Sequence, residues 1–211
     1  GVHRALRGQA FWQLLDAAHV PVTLLRMPNN FPPLDSQSQT LSGMGTPDMQ
    51  GTYGTFTDFN DDPQTTARTV PGGRIVPVTV TQNKVSLVIE GPENTLRRDR
   101  ARSTVTLHVQ RDPEQPVAQF EVDGQRFILN QGEWSPWIRV RFPIVPLLKS
   151  AAGMFRVYAR KLNPEFRLYV SPVNLDPAAP ELPISTPADY SHQLADAIGP
   201  CVIGIRDYWL P

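Results

Sequence analysis

Residues 118–130 read Ala-Gln-Phe-Glu-Val-Asp-Gly-Gln-Arg-Phe-Ile-Leu-Asn and carry the strongest fold signal in the chain. Two large apolar residues at a spacing of two lie on each side of the central Asp-Gly pair. Asp-Gly favours a two-residue β-turn, in which both residues adopt a positive φ. A spacing of two places side chains on one face of a strand. The stretch predicts a β-hairpin in which Phe120 and Val122 face Phe127 and Leu129.

The same period of two continues on both sides of this hairpin, over residues 74–172. The alternating apolar sets are Val85, Leu87 and Ile89; Val105, Leu107 and Val109; Ile138, Val140 and Phe142; Phe155, Val157 and Ala159; and Phe166, Leu168 and Val170. About eight short strands separated by turns are typical of an antiparallel β-sandwich or open barrel. We expect a mainly β fold with a flanking α/β part, made of an N-terminal helix–strand unit and a C-terminal helix.

Both flanks show helical periodicity. Apolar residues at helical spacing predict a helix from about Arg4 to Ala18, and Val22–Met27 reads as a buried strand without polar alternation. A helix followed by a buried strand is half of a βαβ unit, so this start looks like part of a larger structure. Near the other end, Thr186 is expected to cap a helix with Pro187 in its first turn. Cys201–Ile205 is expected to form a last short strand.

Residues 28–73 show neither period. Within them, residues 41–59 contain four glycines and four threonines in 19 residues and little aliphatic content. Such a composition predicts a loop that contributes nothing to the core and brings backbone close to a ligand. Upstream, residues 26–33 leave a strand and enter a proline-stiffened run, so the two segments together would form the wall of a site. In an isolated fragment of a larger structure, we expect residues 34–70 to be mobile, because their packing partners would be absent.

The composition excludes several classes of protein. Acidic and basic residues number 20 each, so no overall field attracts the chain to nucleic acid or to an anionic membrane. No apolar run reaches the ~20 residues needed to span a bilayer. The single Cys201 excludes an internal disulfide. The chain starts without Met, which favours an excised piece, and the compartment stays open with a lean towards an exported or periplasmic protein.

Metal binding has little support in the local sequence. None of the four histidines has a second histidine or a cysteine at ligand spacing; they are His3, His19, His108 and His192. His108 alternates with apolar residues and is expected to face solvent from a strand. Residues 58–62 imitate the first half of a calcium loop, but Pro63 and Thr69 stand where that loop needs Gly and Glu. A solvated acidic turn is the favoured interpretation.

The sequence gives equally little support for a phosphate-binding loop or for a nucleophile. Gly43-Met44-Gly45-Thr46 lacks the Lys-Ser/Thr ending of a P-loop. Ser42 and Thr46 carry hydroxyl groups, but no adjacent base is indicated that would activate either of them.

Arginines and tryptophans offer a surface alternative. The run from Leu96 to Arg102 and the outward strand positions predict either solvated surfaces or an anion-facing surface; those positions are Arg139, Arg141, Arg156 and Arg167. Trp134 and Trp137 favour core or interdomain packing over sugar stacking. A free-standing β-sandwich module that binds a glycan or a protein through these residues is the alternative to an enzyme part.

Several long motifs together resemble one enzyme family. In the first third they are Arg7-Gly8-Gln9-Ala10-Phe11-Trp12, residues 26–33 (Arg-Met-Pro-Asn-Asn-Phe-Pro-Pro), residues 41–48 (Leu-Ser-Gly-Met-Gly-Thr-Pro-Asp), residues 51–57 (Gly-Thr-Tyr-Gly-Thr-Phe-Thr) and residues 71–74. Later motifs are residues 132–135 (Gly-Glu-Trp-Ser), 164–166, 169–172, 182–185 and 197–200. The chain resembles bacterial type I phosphodiesterase / nucleotide pyrophosphatase proteins of the alkaline phosphatase superfamily over residues 7–200.

The resemblance implies a division of labour between this chain and a larger parent. Family members bind two divalent metal ions, expected to be zinc, through Asp and His ligands and attack phosphorus with a Ser or Thr. None of those motifs matches a position here, so the resemblance implies that ligands and nucleophile lie upstream and downstream. It implies no cofactor and no turnover in this fragment alone, with the remainder of the catalytic domain as partner and a phosphate ester as the parent's substrate.

The same resemblance implies three parts. Residues 1–73 would be a helix–strand piece of the catalytic α/β core with a long loop rich in Gly, Pro and Thr. Residues 74–172 would be an inserted antiparallel β domain. Residues 173–211 would be a proline-rich connection, a helix and a truncated return to the core.

Loop position and chemistry select four substrate-binding candidates. Arg26 would hold a phosphate oxygen through a charge-assisted hydrogen bond. Asn30 and Thr46 would position the substrate, and Asp48 would orient a neighbour or order the loop.

Overall fold

The computed structural model describes residues 8–200. Within that range the chain forms two helices and 15 strands. In chain order they are α1 (Phe11–Ala17), β1 (Thr23–Met27), β2 (Gln39–Ser42), β3 (Phe56–Asn60), β4 (Arg68–Val70), β5 (Gly73–Pro77), β6 (Lys84–Glu93), β7 (Arg102–Arg111), β8 (Val117–Val122), β9 (Gln125–Asn130), β10 (Ile138–Val145), β11 (Lys149–Phe155), β12 (Val157–Lys161), β13 (Arg167–Val170), β14 (Asn174–Leu175), β15 (Ser185–Thr186) and α2 (Tyr190–Ile198). The predicted mainly β class is confirmed, with one helix near each end of the chain.

The hairpin that anchors the sequence analysis lies in a four-stranded antiparallel sheet with the order β6-β7-β8-β9. Phe120 pairs with Phe127 across β8 and β9, and their rings stack with centroids 5.3 Å apart. Asp123 and Gly124 both have positive φ, 47° and 74°. These angles fit the mirror-image turn that suits a right-handed strand twist.

Three further sheets complete the fold within the described range. Their orders are β12-β13-β3-β5-β4, β10-β11-β14 and β1-β2-β15. The apolar sets predicted from alternation point inwards, and the largest fully buried rings belong to Phe120, Phe142, Phe155 and Phe166. One continuous hydrophobic cluster joins the sheets, so the β part has a single core.

The prediction that residues 28–73 form an irregular segment is wrong. Three strands, β2, β3 and β4, form inside it, and Leu41, Met49 and Phe59 belong to the hydrophobic core. Two of these strands depend partly on distant partners, which no local pattern shows: β3 pairs with β13 and β2 pairs with β15. The third, β4, has only three residues and pairs with the adjacent β5. Threonine also favours strands when it has a neighbour to pack against. The mobility predicted for residues 34–70 therefore no longer follows from missing packing partners.

Both helix predictions place the N-terminus too early. Helix α1 begins at Phe11, and the Ala10 N–H donates to the Gln13 side chain at 2.8 Å. Helix α2 begins at Tyr190, because Thr186 belongs to β15 and its hydroxyl donates to the Leu34 carbonyl instead of capping a helix. The first residues of the predicted α1 and the predicted strand over 201–205 lie outside the described residues. In residues 8–200, neither helix has the length and apolar content to cross a membrane.

The small sheet β1-β2-β15 positions the predicted site. Strands β1 and β2 run parallel, with Leu24 opposite Thr40 and Leu25 opposite Leu41. Parallel strands present their carboxyl ends at the same edge, and ligands of open α/β sheets bind outside that edge. The chain leaves β1 and β2 at this edge and enters the two segments that carry the candidate residues.

Candidate functional site

The carboxyl edge of β1 and β2 is built around a close backbone approach. Residue 26 is skipped in the β1–β2 register and Arg26 has φ of 56°, so the chain bulges there. The α-carbon of Gly43 fills the space left by this bulge: a Cβ at position 43 would lie 2.1 Å from the Arg26 carbonyl oxygen. One residue after Pro28, the Asn29 N–H donates to the Met44 carbonyl at 2.9 Å. The two segments are thus joined at their start.

Asn30 lies under this edge with 2 % of its surface exposed. Its backbone carbonyl accepts the Ser42 hydroxyl at 2.5 Å, which ties the segment after β1 to the end of β2. Its side-chain Nδ2 is enclosed and has no hydrogen-bond partner among the described residues. Buried donors without an acceptor are rare in native proteins, so this amide is a group that an outside acceptor could satisfy.

Thr46 and Asp48 order the segment after β2. The Thr46 hydroxyl donates to the Gly43 carbonyl at 2.8 Å and closes a tight turn. The Asp48 carboxylate accepts four hydrogen bonds: from the N–H groups of Gln50 (2.9 Å), Thr52 (2.8 Å) and Thr55 (3.1 Å), and from the Thr52 hydroxyl (2.6 Å). Both side chains are buried. Of the two roles predicted for Asp48, this geometry fits the ordering of the loop.

Arg26 differs from the other three candidates because its side chain is exposed. The structure therefore gathers one exposed cation, one enclosed amide donor and two loop-ordering side chains at a single edge of the sheet. No catalytic base or nucleophile pair is formed by these four residues.

His108 and His192 lie on elements outside this sheet. His108 faces solvent from β7, as predicted, and its Nδ1 lies 2.9 Å from the Ser86 hydroxyl. His192 lies on α2 with its Nε2 3.5 Å from the Asp196 carboxylate. Across residues 8–200, no three side chains of His, Cys, Asp or Glu come together in a group that could hold a metal ion. His3 and Cys201 lie outside the described residues.

The acidic run at residues 58–62 is not simply a solvated turn. Asp58 lies within β3, and its carboxylate forms an ion pair with Arg160 at 2.7 Å. Burial raises the pKa of the Asp58 carboxyl in spite of this partner. Asp61 accepts the Phe166 N–H at 2.8 Å, and Asp62 accepts the Gln64 N–H at 2.9 Å. Each of these three carboxylates therefore binds a different partner within the protein.

Trp134 and Trp137 are held by internal contacts. The Arg156 guanidinium lies over both rings, 5.0 Å and 5.7 Å from their centroids. The Trp134 ring also contacts Tyr158 and Tyr169, with centroids 5.2 Å and 5.8 Å away. Cation–π and ring contacts of this kind stabilise packing. The faces of Trp134 are therefore occupied by the protein itself.

Other arginines are exposed, ion-paired or gathered on another sheet face. Those of the β6–β7 connection are exposed and partly paired, as Arg97 is with Asp99 at 2.7 Å. Arg139 lies 3.4 Å from Asp176. The sequence pattern did not single out Arg68 and Arg160, which join Arg167 on one face of the five-stranded sheet. Asp58 and Asn60 alternate along β3 with the buried Thr57 and Phe59, and this alternation was the signal that polar side chains share this face.

No family model, curated protein or solved structure matches this chain.

Proposed function

We propose that this chain is the accessory, substrate-side part of a larger metal-dependent hydrolase of the phosphodiesterase or nucleotide pyrophosphatase type. The motif resemblance suggests the chemistry. The observation that carries the proposal is the outer edge of β1, which is unpaired within the described residues although β1 runs parallel to β2.

The outer, lateral edge of β1 and the adjacent helix α1 have the properties of an incomplete α/β core. Parallel sheets are normally buried on both faces and extended by further parallel strands. Here Leu25 of β1 is 56 % exposed, and Phe11 and Leu14 of α1 are 51 % and 56 % exposed. A further strand pairing with β1 would cover apolar surface and supply backbone partners along this edge.

The residues at the carboxyl edge have roles that fit a substrate side. Arg26 is exposed and would contact a phosphate oxygen. Asn30 would donate its unpartnered amide to an acceptor supplied by substrate or by the completed core. Thr46 and Asp48 keep the segment after β2 in place.

The described residues do not fit a two-metal site, since no group of three candidate ligands is present among them. In this proposal the metal ligands and the nucleophile belong to the remainder of the parent. The chain itself contributes binding and orientation.

Extending the reading frame on both sides of the chain tests the proposal. We expect the extended protein to hydrolyse bis(p-nitrophenyl) phosphate with zinc or manganese, and the present chain to be inactive under the same conditions. Arg26→Ala in the extended protein should raise KM, while Arg141→Ala, an exposed arginine of β10, should not. A frame that ends at both termini of this chain, or metal-dependent turnover by the chain alone, would overturn the proposal.

A further inference from the structure

One face of the five-stranded sheet carries a polar groove of about 330 Å³. Strand pairing builds it: Arg68 of β4 lies opposite Ile75, which lies opposite Asp58, and Arg167 of β13 lies opposite Asn60. The volume is within the range of small-molecule sites. The groove lies on a different sheet from β1 and β2.

Two of the three arginines in this groove have unused hydrogen-bond donors. The Arg68 side chain makes no hydrogen bond or ion pair within the described part of the chain. Arg167 lies 4.0 Å from Asp62 and 3.8 Å from Glu165, both beyond hydrogen-bond distance, and its Nε is enclosed without a partner. An arginine donor left unsatisfied in a groove calls for an acceptor that is absent from the protein.

The acceptors of the groove, in contrast, each have a hydrogen bond within the protein. The Asp58 carboxylate binds Arg160 at 2.7 Å. The Asp62 carboxylate accepts the Gln64 N–H, and the Asn60 side-chain oxygen accepts the Asp62 N–H at 3.0 Å. Arg160 is neutralised by Asp58. The donors left without a hydrogen bond among the described residues include the Arg68 guanidinium, the enclosed Nε of Arg167 and the Asn60 side-chain NH₂. Arg167 has only two long ion pairs, with Asp62 and Glu165.

From this surplus of donors we infer that the groove binds a phosphate-type oxyanion, with Arg68 and Arg167 as the charged contacts and Asn60 as a neutral donor. Guanidinium groups match the oxygens of phosphate in a bidentate geometry. The inference does not depend on the proposed function, because it uses neither the β1 edge nor any residue of the predicted site.

Titration of the purified chain with inorganic phosphate, followed by ¹H–¹⁵N NMR at constant ionic strength, tests the inference. We expect saturable shifts of the Nε–Hε signals of Arg68 and Arg167 and of the amides of β3. Arg68→Gln and Arg167→Gln should each weaken binding about tenfold, since each removes a charge-assisted contact. Acetate should bind more weakly, because it offers fewer oxygens.

Arg141→Gln is the matched control, since Arg141 is exposed on β10 outside the groove and should leave phosphate binding unchanged. Arg68→Gln alters an exposed residue of an edge strand, so its fold should be intact even if Arg167→Gln disturbs packing. Shifts that do not saturate, or that persist equally in Arg68→Gln and Arg141→Gln, would overturn the inference. Equal or tighter binding of acetate would reject phosphate as the ligand class.

Discussion

The α-carbon of Gly43 lies against the backbone of Arg26, and a Cβ at position 43 would stand 2.1 Å from the Arg26 carbonyl oxygen. No side-chain rearrangement relieves such a contact, because the atoms it would meet belong to backbone. The two segments that carry the candidate site residues are therefore held together by a position that only glycine fits.

Gly43→Ala should strongly destabilise the chain. We expect the free energy of unfolding in urea to fall by about 3 kcal/mol, the upper part of the range for overpacking. Gly51→Ala is the control: Gly51 has φ of +77° and open space around it. Its cost should stay near 1 kcal/mol, the penalty for a side chain in the left-handed region. Equal losses in the two variants would show that the approach of Gly43 to Arg26 is not a close contact in solution.

Asp48→Ala should loosen residues 50–55 before it affects the rest of the fold. The carboxylate accepts four hydrogen bonds from this segment, and hydrogen bonds to charged groups are worth about 1.5–3 kcal/mol each. We expect a loss of about 3 kcal/mol in unfolding free energy, well below the sum over four bonds, because water can replace the carboxylate as the segment loosens. Hydrogen exchange at the amides of Gln50, Thr52 and Thr55 should accelerate most.

Asp35→Ala is the matched control for this prediction. Asp35 is exposed in the neighbouring segment, and its side chain makes no hydrogen bond within residues 8–200. The hydrogen-exchange pattern and the unfolding free energy of Asp35→Ala should equal those of the wild type. Protection that survives at Thr52 and Thr55 in Asp48→Ala would contradict the role of Asp48 in ordering the segment.

Local patterns account for most of what could be predicted about the fold. The Asp123-Gly124 turn and the pairing of Phe120 with Phe127 depend on residues close together in sequence, so the hairpin was visible. In β3, Asp58 pairs with Arg160, 102 positions away, and no local pattern announces that contact. Thr186 shows how a distant contact can override a local signal. It lies in β15 and pairs with Thr40 of β2, and this strand pairing replaces the expected helix cap.

The same contrast between local and distant contacts applies to the candidate site. Its place could be predicted, because glycine, proline and threonine mark the segments that leave β1 and β2. The role of each residue could not be predicted, because the burial of Asn30 and the four hydrogen bonds of Asp48 depend on how the segments fold back. The groove of Arg68 and Arg167 could not be predicted, because β13, which carries Arg167, is far along the chain from β3, β4 and β5.

Asp58→Asn should change how stability depends on pH. Burial raises the pKa of Asp58 above its ordinary value of 3.8, so the folded chain binds this proton more tightly than the unfolded chain. The contribution of Asp58 to stability is therefore largest below pH 3.8 and declines as pH rises through its folded pKa. The difference in unfolding free energy, wild type minus Asp58→Asn, should fall with rising pH in that window.

Asp112→Asn provides a control of opposite sign. The N–H groups of Gln115 and Glu114 lower the pKa of Asp112 from 3.8, so its contribution is present above that value and is lost as pH falls through the folded pKa. The difference in unfolding free energy, wild type minus Asp112→Asn, should rise with pH. If the Asp58 difference also rose with pH, the ion pair with Arg160 would outweigh burial, contrary to the prediction.

Leu25→Lys should separate the stability of this chain from its association with a larger sheet. Leu25 is 56 % exposed and Leu24 is 6 % exposed on the same strand. In the isolated chain, Leu25→Lys should change the unfolding free energy by no more than about 0.5 kcal/mol, whereas Leu24→Lys buries an unpaired charge and should lose several times more. In the extended protein, the same substitution should reduce the yield of active enzyme, because the proposed neighbouring strand would cover Leu25. Full activity of the Leu25→Lys variant of that protein would mean that the edge of β1 faces solvent there, and the proposed docking of this chain on a catalytic α/β core would fail.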